Sequence, residues 1–138
     1  MGHAYSYRCD HCGYSEDFNQ GHGFLVHSQP LKDYLKQPVK IFHYKTRNLL
    51  RALGNEHKDL FLKAGFQIYK CPQCKTLHDK IEVTVFDGDK MIHKSEFRCP
   101  TCRSRLKLTN IHRLKKAICP KCKKRSFRRA FSSVLLWD

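Results

Sequence analysis

Cysteine is the residue in this sequence whose type and spacing most clearly indicate chemistry. All eight cysteines fall into Cys-x-x-Cys pairs, namely Cys9/Cys12, Cys71/Cys74, Cys99/Cys102 and Cys119/Cys122. A pair of this kind at a tight turn, here called a knuckle, can direct two thiolates at one ion. Two knuckles complete the tetrahedral site that zinc prefers in closed structural centres. We therefore expect two zinc ions per chain, each bound by four cysteines.

The four knuckles can be joined into two sites in three ways. The preferred interpretation joins neighbours along the chain, so that knuckles 9–12 and 71–74 bind one ion while knuckles 99–102 and 119–122 bind the other. The second of these sites has the usual separation between its knuckles, and a long insertion in the first costs little closure entropy. The main alternative joins 71–74 with 99–102 and leaves the outermost knuckles to each other.

Disulfides are the competing interpretation of an even cysteine count. Every cysteine has a partner three residues away, and no apolar signal segment begins the chain. Both features favour metal binding in a reducing intracellular compartment, and we expect a cytoplasmic protein. His11 and His78 lie beside knuckles, but eight thiols already supply two complete sites. We therefore expect both histidines to be exposed or to support a ligand.

Positive charge is the second chemical feature of the sequence. The net charge is +15, and residues 98–129 contain thirteen Lys or Arg and no Asp or Glu. The first 97 residues are nearly balanced, with fourteen basic and eleven acidic side chains. One-sided charge of this density indicates a polyanionic partner, with nucleic acid as the default.

The candidate phosphate contacts all lie in this basic stretch. They are Arg103, Arg105, Lys107, Arg113, Lys115, Lys116, Lys121, Lys123, Lys124, Arg125, Arg128 and Arg129. Phe127 lies among charged neighbours as the inward residue of a strand would, so we expect it to pack rather than stack on a base. No apolar run is long enough to span a bilayer, and a membrane partner is not expected.

The elements that position the knuckles are predicted to be mainly strands. Alternating residues predict strands before the first two knuckles, a hairpin at about 80–98 and a final strand ending near Trp137. Residues 105–108 and 113–118 are expected to form two further short strands. Helical spacing predicts an insertion at about 29–64, including a helix that begins at Asn55 and continues through Ala64.

The knuckles also carry a family resemblance. Cys-x-x-Cys-Gly-Tyr at 9–14 and Cys-Pro-x-Cys at 71, 99 and 119 resemble the knuckles of zinc-ribbon proteins, a superfamily that includes transcription factors, RNA polymerase subunits and ribosomal proteins. The resemblance covers about half of the chain. Tyr7, the Gly-x-Gly-Phe at 21–24 and the closing Trp137-Asp138 also look like small bacterial zinc-ribbon proteins of unassigned function, which transfers no activity.

The predicted fold is α+β, with two small antiparallel four-cysteine zinc ribbons and a helical insertion in the first. Residues 1–98 form the first ribbon with knuckles 9–12 and 71–74, and residues 99–138 form the second, strongly basic ribbon with a C-terminal strand.

The predicted function is non-enzymatic binding of nucleic acid through the second ribbon, with RNA or a ribonucleoprotein such as the ribosome favoured over DNA. The alternative is an adaptor whose helical lobe docks on a transcription or translation assembly. Catalysis is not expected, because the sequence has no H-E-x-x-H motif, no phosphate-binding Gly-rich loop and no zinc ligand position left for water.

Overall fold

The computed structural model describes residues 2–21, 28–36, 42–57, 59–114 and 116–137, with the backbone alone described from 131 onward. These residues form eight strands and two helices. They are β1 Gly2–Cys9, β2 Ser15–Gly21, β3 Gln29–Pro30, α1 Leu31–Lys36, α2 Tyr44–Glu56, β4 Phe61–Lys70, β5 Leu77–Asp87, β6 Lys90–Lys94, β7 Lys107–Leu108 and β8 Phe127–Trp137. The predicted α+β class is confirmed.

One antiparallel sheet contains all eight strands, in the order β6-β5-β4-β2-β1-β8, with β3 and β7 added to β4. Strand β4 pairs with β5 over ten residues along one edge. Its other edge is shared by β3 at Phe61 and Leu62, by β2 at Phe66 and by β7 at Tyr69 and Lys70. Strand β4 therefore connects the two halves of the sheet.

Strand β1 brings the two ends of the chain together. It pairs with β2 from Gly2 to Arg8 and with β8 on its other side. Alternation sends Tyr5, Tyr7 and Cys9 into a core that also contains Phe18 and Phe127. The apolar end of the sequence thus belongs to a sheet strand, as predicted, and its partner is the first strand.

The helices cover one face of β4 and β5. Pro30 precedes α1, a position at which its fixed φ suits helix entry. Leu31 and Tyr34 of α1 and Leu50 of α2 are buried against Leu62, Ala64, Val83 and Val85 of the strands. The His43 side chain accepts a hydrogen bond from the Lys45 amide and so caps the start of α2.

Two secondary-structure predictions were wrong. The helix expected from Asn55 through Ala64 does not form, because α2 ends at Glu56 and residues 61–64 already belong to β4. Leu62 and Ala64 are both buried, as alternation in a strand requires, and ten backbone pairings with β5 outweigh the helical spacing. The strand expected at 113–118 is reduced to one bridge, Ala117 to Phe127.

Candidate metal centres

All four knuckles have the same backbone geometry. In each, the amide of the first cysteine donates to the carbonyl five residues later, and the amide four residues later donates back to that cysteine's carbonyl. These eight hydrogen bonds are 2.8–3.0 Å long. The fold at each knuckle is therefore set locally, by one tight turn repeated four times.

The residue directly after each knuckle has a left-handed backbone. Gly13 has φ 78°, Lys75 61°, Arg103 65° and Lys123 64°. This conformation is natural for glycine and strained for any residue with a Cβ. Three of the four knuckles nevertheless place a basic side chain there.

The first and last knuckles form one four-cysteine group, here called the outer site, of Cys9, Cys12, Cys119 and Cys122. The sulfurs of Cys9 and Cys122 lie 3.6 Å apart, as do those of Cys12 and Cys119. Knuckle 9–12 joins β1 to β2, and knuckle 119–122 precedes β8. Because Cys9 pairs with Phe127 in the sheet, the β1–β8 ladder brings the two knuckles together.

The two middle knuckles form the second group, here called the inner site, of Cys71, Cys74, Cys99 and Cys102. The Cys71 and Cys102 sulfurs are 3.4 Å apart, and those of Cys74 and Cys99 are 4.0 Å apart. Knuckle 71–74 joins β4 to β5, and knuckle 99–102 precedes β7, which pairs with the end of β4. The inner site therefore repeats the construction of the outer site.

The preferred pairing of neighbouring knuckles was wrong, and the main alternative is the one observed. Cys99 and Cys102 join Cys71 and Cys74, so each group draws on both sides of the boundary predicted between residues 98 and 99. The sequence separation between knuckles misled the prediction. Pairing of β1 with β8 brings the distant knuckles 9–12 and 119–122 together. The entropic cost of closing such a long loop rises only slowly with its length.

The donor set and geometry of both groups fit zinc. Four thiolates 2.3 Å from a tetrahedral Zn²⁺ lie about 3.8 Å from one another, and four sulfur pairs that join different knuckles are 3.4–4.0 Å apart. All eight cysteines are free, since a disulfide would need sulfurs about 2.05 Å apart. Two zinc ions per chain are thus confirmed as the cofactor, and each site is closed by four protein ligands.

The histidines beside the knuckles belong to neither group. His11 is exposed. The Nε2 atom of His78 is hydrogen-bonded to the Thr76 hydroxyl at 2.9 Å, and burial lowers the pKa of the His78 ring. His11 is therefore exposed as expected, whereas His78 is half-buried.

Hydrogen bonds to sulfur stabilise the thiolate form at Cys9 of the outer site and at Cys99 and Cys102 of the inner site. Burial alone would raise the pKa of Cys9, but the Ser126 hydroxyl at 3.0 Å and the amides of Cys12 and His11 lower it to about 5. In the inner site, the hydroxyl and amide of Ser104 lower the pKa of Cys102 to about 6. Such donors favour the charged form that a metal ligand requires.

The two sites differ in the apolar shell around them. The outer site lies on an aromatic core in which the Tyr7 ring is 5.5 Å from both Phe18 and Phe127. The inner site lies in a smaller cluster whose other buried members are Tyr69 and Leu106. Phe127 is 1% exposed, which confirms that it packs inside and cannot stack on a base.

The candidate basic residues are spread over two sites, whereas the sequence analysis had placed them around one. Arg103, Arg105 and Lys107 flank the inner site. The residues from Lys121 to Arg129 flank the outer site, and Arg113 and Lys116 lie on the segment between the sites. Arg129 is half-buried with its guanidinium over the Tyr5 ring, and the other described candidates are exposed. Lys115 lies outside the described residues.

Two of these candidates have acidic partners. Arg105 pairs with Glu96 at 2.6 Å, and Arg128 pairs with Asp10. In the described part of the chain, the exposed candidates without an acidic partner are Arg103, Lys107, Arg113, Lys116, Lys121, Lys123, Lys124 and Arg125. Most of the excess charge is therefore free to meet an external anion.

Lys75 is a residue that the sequence analysis missed. It is exposed and follows knuckle 71–74 in the same way that Arg103 and Lys123 follow theirs. The signal was present in the sequence, since a Lys or Arg comes directly after three of the four knuckles. Lys75 lies outside the one-sided basic stretch at 98–129, so charge density alone did not indicate it.

The part of the chain that contains α1 and α2, here called the helical lobe, carries an open groove of about 480 Å³. Its lining is mainly apolar and includes Leu31 and Leu35 of α1, Leu60 and Phe61. Phe61 is 39% exposed at the groove, and Tyr44 and Leu49 are exposed on α2. Neither described helix is long and apolar enough to cross a membrane.

Comparison with known proteins gives one informative similarity. No family model and no solved structure matches the chain. The LIM domain-containing protein pin-2 of Caenorhabditis elegans is 28% identical over 85 residues, which are 56% of this chain and 26% of that protein. The chain thus spans about a quarter of this relative. LIM domains are built around zinc sites, so the similarity supports a small zinc-binding domain of the broad zinc-finger class.

Proposed function

We propose that this chain is a non-enzymatic zinc-ribbon protein of the cytoplasm that binds nucleic acid, with RNA or a ribonucleoprotein favoured over DNA. The observation that carries the proposal is the set of exposed basic side chains without acidic partners beside the two metal centres. The zinc-ribbon assignment rests on the shared construction of the sites, in which a hairpin closed by one knuckle meets a second knuckle and its strand.

The charge exceeds what the metal centres themselves require. Four thiolates and one Zn²⁺ leave a net charge of about −2 at each site, and nearby cations offset it. Residues 119–129 alone supply six basic side chains, of which Arg128 is paired with Asp10. Because such an excess destabilises a compact fold unless something offsets it, a phosphate backbone is the fitting partner.

The knuckles give this charge a fixed geometry. Lys121 lies within a knuckle, Lys123 directly follows it, and the turn is held by backbone hydrogen bonds as well as by the metal that the site accepts. A backbone that is already fixed loses less conformational freedom on binding than a mobile one. When bound, Zn²⁺ supplies a structural cross-link, and the side chains of the turn contact phosphate.

RNA is favoured over DNA by the shape of the basic segment. Between residues 98 and 130, the described part of the chain forms turns, short strands and bridges without a helix. Most DNA-binding motifs place a helix in the major groove, and this segment offers none for that purpose. Contacts to phosphate position a protein without reading sequence, so we expect binding with little base preference.

Catalysis is not part of the proposal. Each centre has four cysteine ligands, which leaves no open position for a water or substrate. Two acidic residues that contact the basic segment, Glu96 and Asp10, are in ion pairs with Arg105 and Arg128.

The test measures binding of labelled single-stranded RNA and duplex DNA by the zinc-loaded chain over a range of salt concentrations. The variant Lys123→Ala/Lys124→Ala/Arg125→Ala removes three cations beside the outer site. Loss of three contacts should reduce the salt slope for single-stranded RNA by about 2.

The control variant for this test is Lys45→Ala/Lys90→Ala/Lys94→Ala, which removes the same charge from exposed positions on α2 and the β6 hairpin. It should change binding much less. Equal losses in the two variants would mean that net charge alone drives binding, and the proposed surface would be wrong.

A second candidate function is protein interaction through the helical lobe, which the apolar groove beside Leu35 and Phe61 favours. The similarity to a LIM domain-containing protein is compatible with it. Pulldown with and without nuclease separates the candidates, with Phe61→Ser as the groove variant. A partner that survives nuclease but is lost with Phe61→Ser supports docking through the groove, and loss of all partners after nuclease contradicts it.

A further inference from the structure

We propose that the inner site carries a second phosphate-binding surface, centred on Lys75 and Arg103, so that the chain holds nucleic acid at two separate metal-supported places. This inference rests on the proposed function and extends it to a residue outside the basic stretch. The ligand is the phosphodiester backbone, and the outer site supplies the other contact through residues 121–125.

The metal centre links Lys75 and Arg103 to one site, since each directly follows a cysteine of the same group. Lys75 directly follows Cys74, and Arg103 directly follows Cys102. The sulfurs of Cys74 and Cys102 belong to one group whose ligand atoms all lie within 4.8 Å of one another. Two exposed cations thus leave the same small centre from equivalent positions, although 28 positions of sequence separate them.

The backbone conformation of Lys75 and Arg103 indicates that these residues are present for their side chains, because the turn itself does not require them. Both have positive φ, at 61° and 65°, which opposes any residue with a Cβ. Glycine suits the same position without strain, as Gly13 shows in the first knuckle. A strained residue that makes no ion pair within the described chain is most simply explained by a contact with something outside it.

Like charges face each other across the strands that lead to the inner site. Lys70 lies directly opposite Lys107, and Arg98 lies opposite Arg105. Side chains in such pairs share one face, and like charges there repel. Glu96 neutralises Arg105, but no described acidic group pairs with Lys70 or Lys107. A bound phosphate would relieve this repulsion.

The outer site has the same arrangement, which ties the two surfaces to one function. Arg8 lies opposite Arg128 on the strands that lead to it, and Lys123 has the left-handed position. Asp10 partly neutralises that pair through Arg128. In the inner site, the residues of 69–76 and 97–108 include six basic and no acidic side chains. Both centres therefore present cations in excess of their own need.

The experiment uses the zinc-loaded full chain and labelled single-stranded RNA, with Lys75→Gly, Arg103→Gly and the double variant. Each substitution removes a cation and also removes the Cβ that is strained at positive φ. We expect the double variant to lower RNA affinity several-fold and the salt slope by about 1.4, as two lost contacts predict for a single strand. The thermal midpoint should rise by a few degrees, so that the lost binding cannot come from unfolding.

Three results would overturn the inference. If Lys75→Gly/Arg103→Gly binds like Lys90→Ala while the outer variant at 123–125 is weakened, RNA contacts the outer site alone and the proposed function stands. If Lys75→Gly lowers the thermal midpoint and the zinc content, its side chain has a structural role. If the unaltered chain does not bind RNA at low salt, the inference and the proposed function both fail.

Discussion

The outer and inner sites are built alike but hold different amounts of chain together. In the outer site, Cys12 and Cys119 are 107 positions apart, whereas Cys74 and Cys99 of the inner site are 25 positions apart. Closing the longer loop costs about 1 kcal/mol more chain entropy. The outer site thus joins the two ends of the chain, and the inner site secures a hairpin that is already formed locally.

The hydrophobic packing beside the two sites differs in the same direction. Strands β4 and β5, which lead to the inner site, also pack against both helices through Leu62, Ala64, Val83 and Val85. Neither described helix contributes a side chain to the core around the outer centre, whose buried members include Tyr5 and Tyr7 of β1 and Phe127 of β8. We therefore expect metal binding to contribute less to the stability of β4 and β5 than to the stability of β1 and β8.

The largest expected effect comes from removing one ligand of each site in turn. Cys119→Ser should leave about one zinc per chain and remove amide hydrogen-exchange protection from β1 and β8, because structural zinc binding is folding free energy there. Cys99→Ser should also leave about one zinc but expose mainly residues 97–108. Persistent protection of β1 in Cys119→Ser, or global unfolding of Cys99→Ser, would contradict the distinction.

The second-largest effect should come from truncating a buried apolar side chain beside each site, which should cost more unfolding free energy at the outer site than at the inner site. Phe127 is fully packed against Tyr7 and Phe18, so Phe127→Ala should lower the free energy of unfolding by about 3–5 kcal/mol. Leu106→Ala, in the smaller cluster of the inner site, should cost about 2 kcal/mol. Denaturant titration of both zinc-loaded variants measures the difference, and equal losses would argue that the shells are equivalent.

The knuckles were predictable from sequence because each is a local structure. Two cysteines, the bonds around them and a left-handed residue all lie within six positions, and the strands entering the first two knuckles alternate clearly. The α+β class and the zinc cofactor followed from these features. The burial of Phe127 was also readable, since one apolar residue among charges marks the inward side of a strand.

The pairing of the knuckles was not predictable in the same way. It depends on Gly2–Cys9 meeting Phe127–Trp137, a contact between the ends of the chain that no local pattern reveals. Sequence distance favoured knuckle 99–102 with 119–122, but strand pairing decided otherwise. The helix expected through Ala64 failed for a related reason, because pairing with β5 overrode a helical spacing of Leu60, Phe61 and Ala64.

A smaller effect should follow from removing the hydrogen bond to the outer-site sulfur. Ser126 donates to Cys9 at 3.0 Å, so Ser126→Ala should reduce the free energy of unfolding by about 1 kcal/mol and weaken zinc binding. Competition with a chromophoric chelator measures the affinity. Ser126→Thr, which keeps the hydroxyl, is the control, and equal behaviour of the two variants would show that the bond does not matter.

The smallest effects concern the left-handed residue after each knuckle. Lys75→Gly should stabilise the fold by about 0.5–1 kcal/mol, since relief of strain is partly offset by the freer unfolded chain. Gly13→Ala should destabilise it by about 1 kcal/mol, and this cost is conformational because no atom beyond the two neighbouring residues lies within 4 Å of the added Cβ. Opposite signs in thermal unfolding are expected, and equal signs would contradict a shared turn.

The central claim is that the first knuckle shares its metal with the last, while the two middle knuckles share the other. Cadmium-substituted protein tests it directly, since scalar couplings correlate each cadmium nucleus with the Hβ protons of the cysteines that bind it. We predict two cadmium resonances, one coupled to Cys9, Cys12, Cys119 and Cys122 and the other to Cys71, Cys74, Cys99 and Cys102. Coupling of one resonance to both Cys9 and Cys71 would contradict the account.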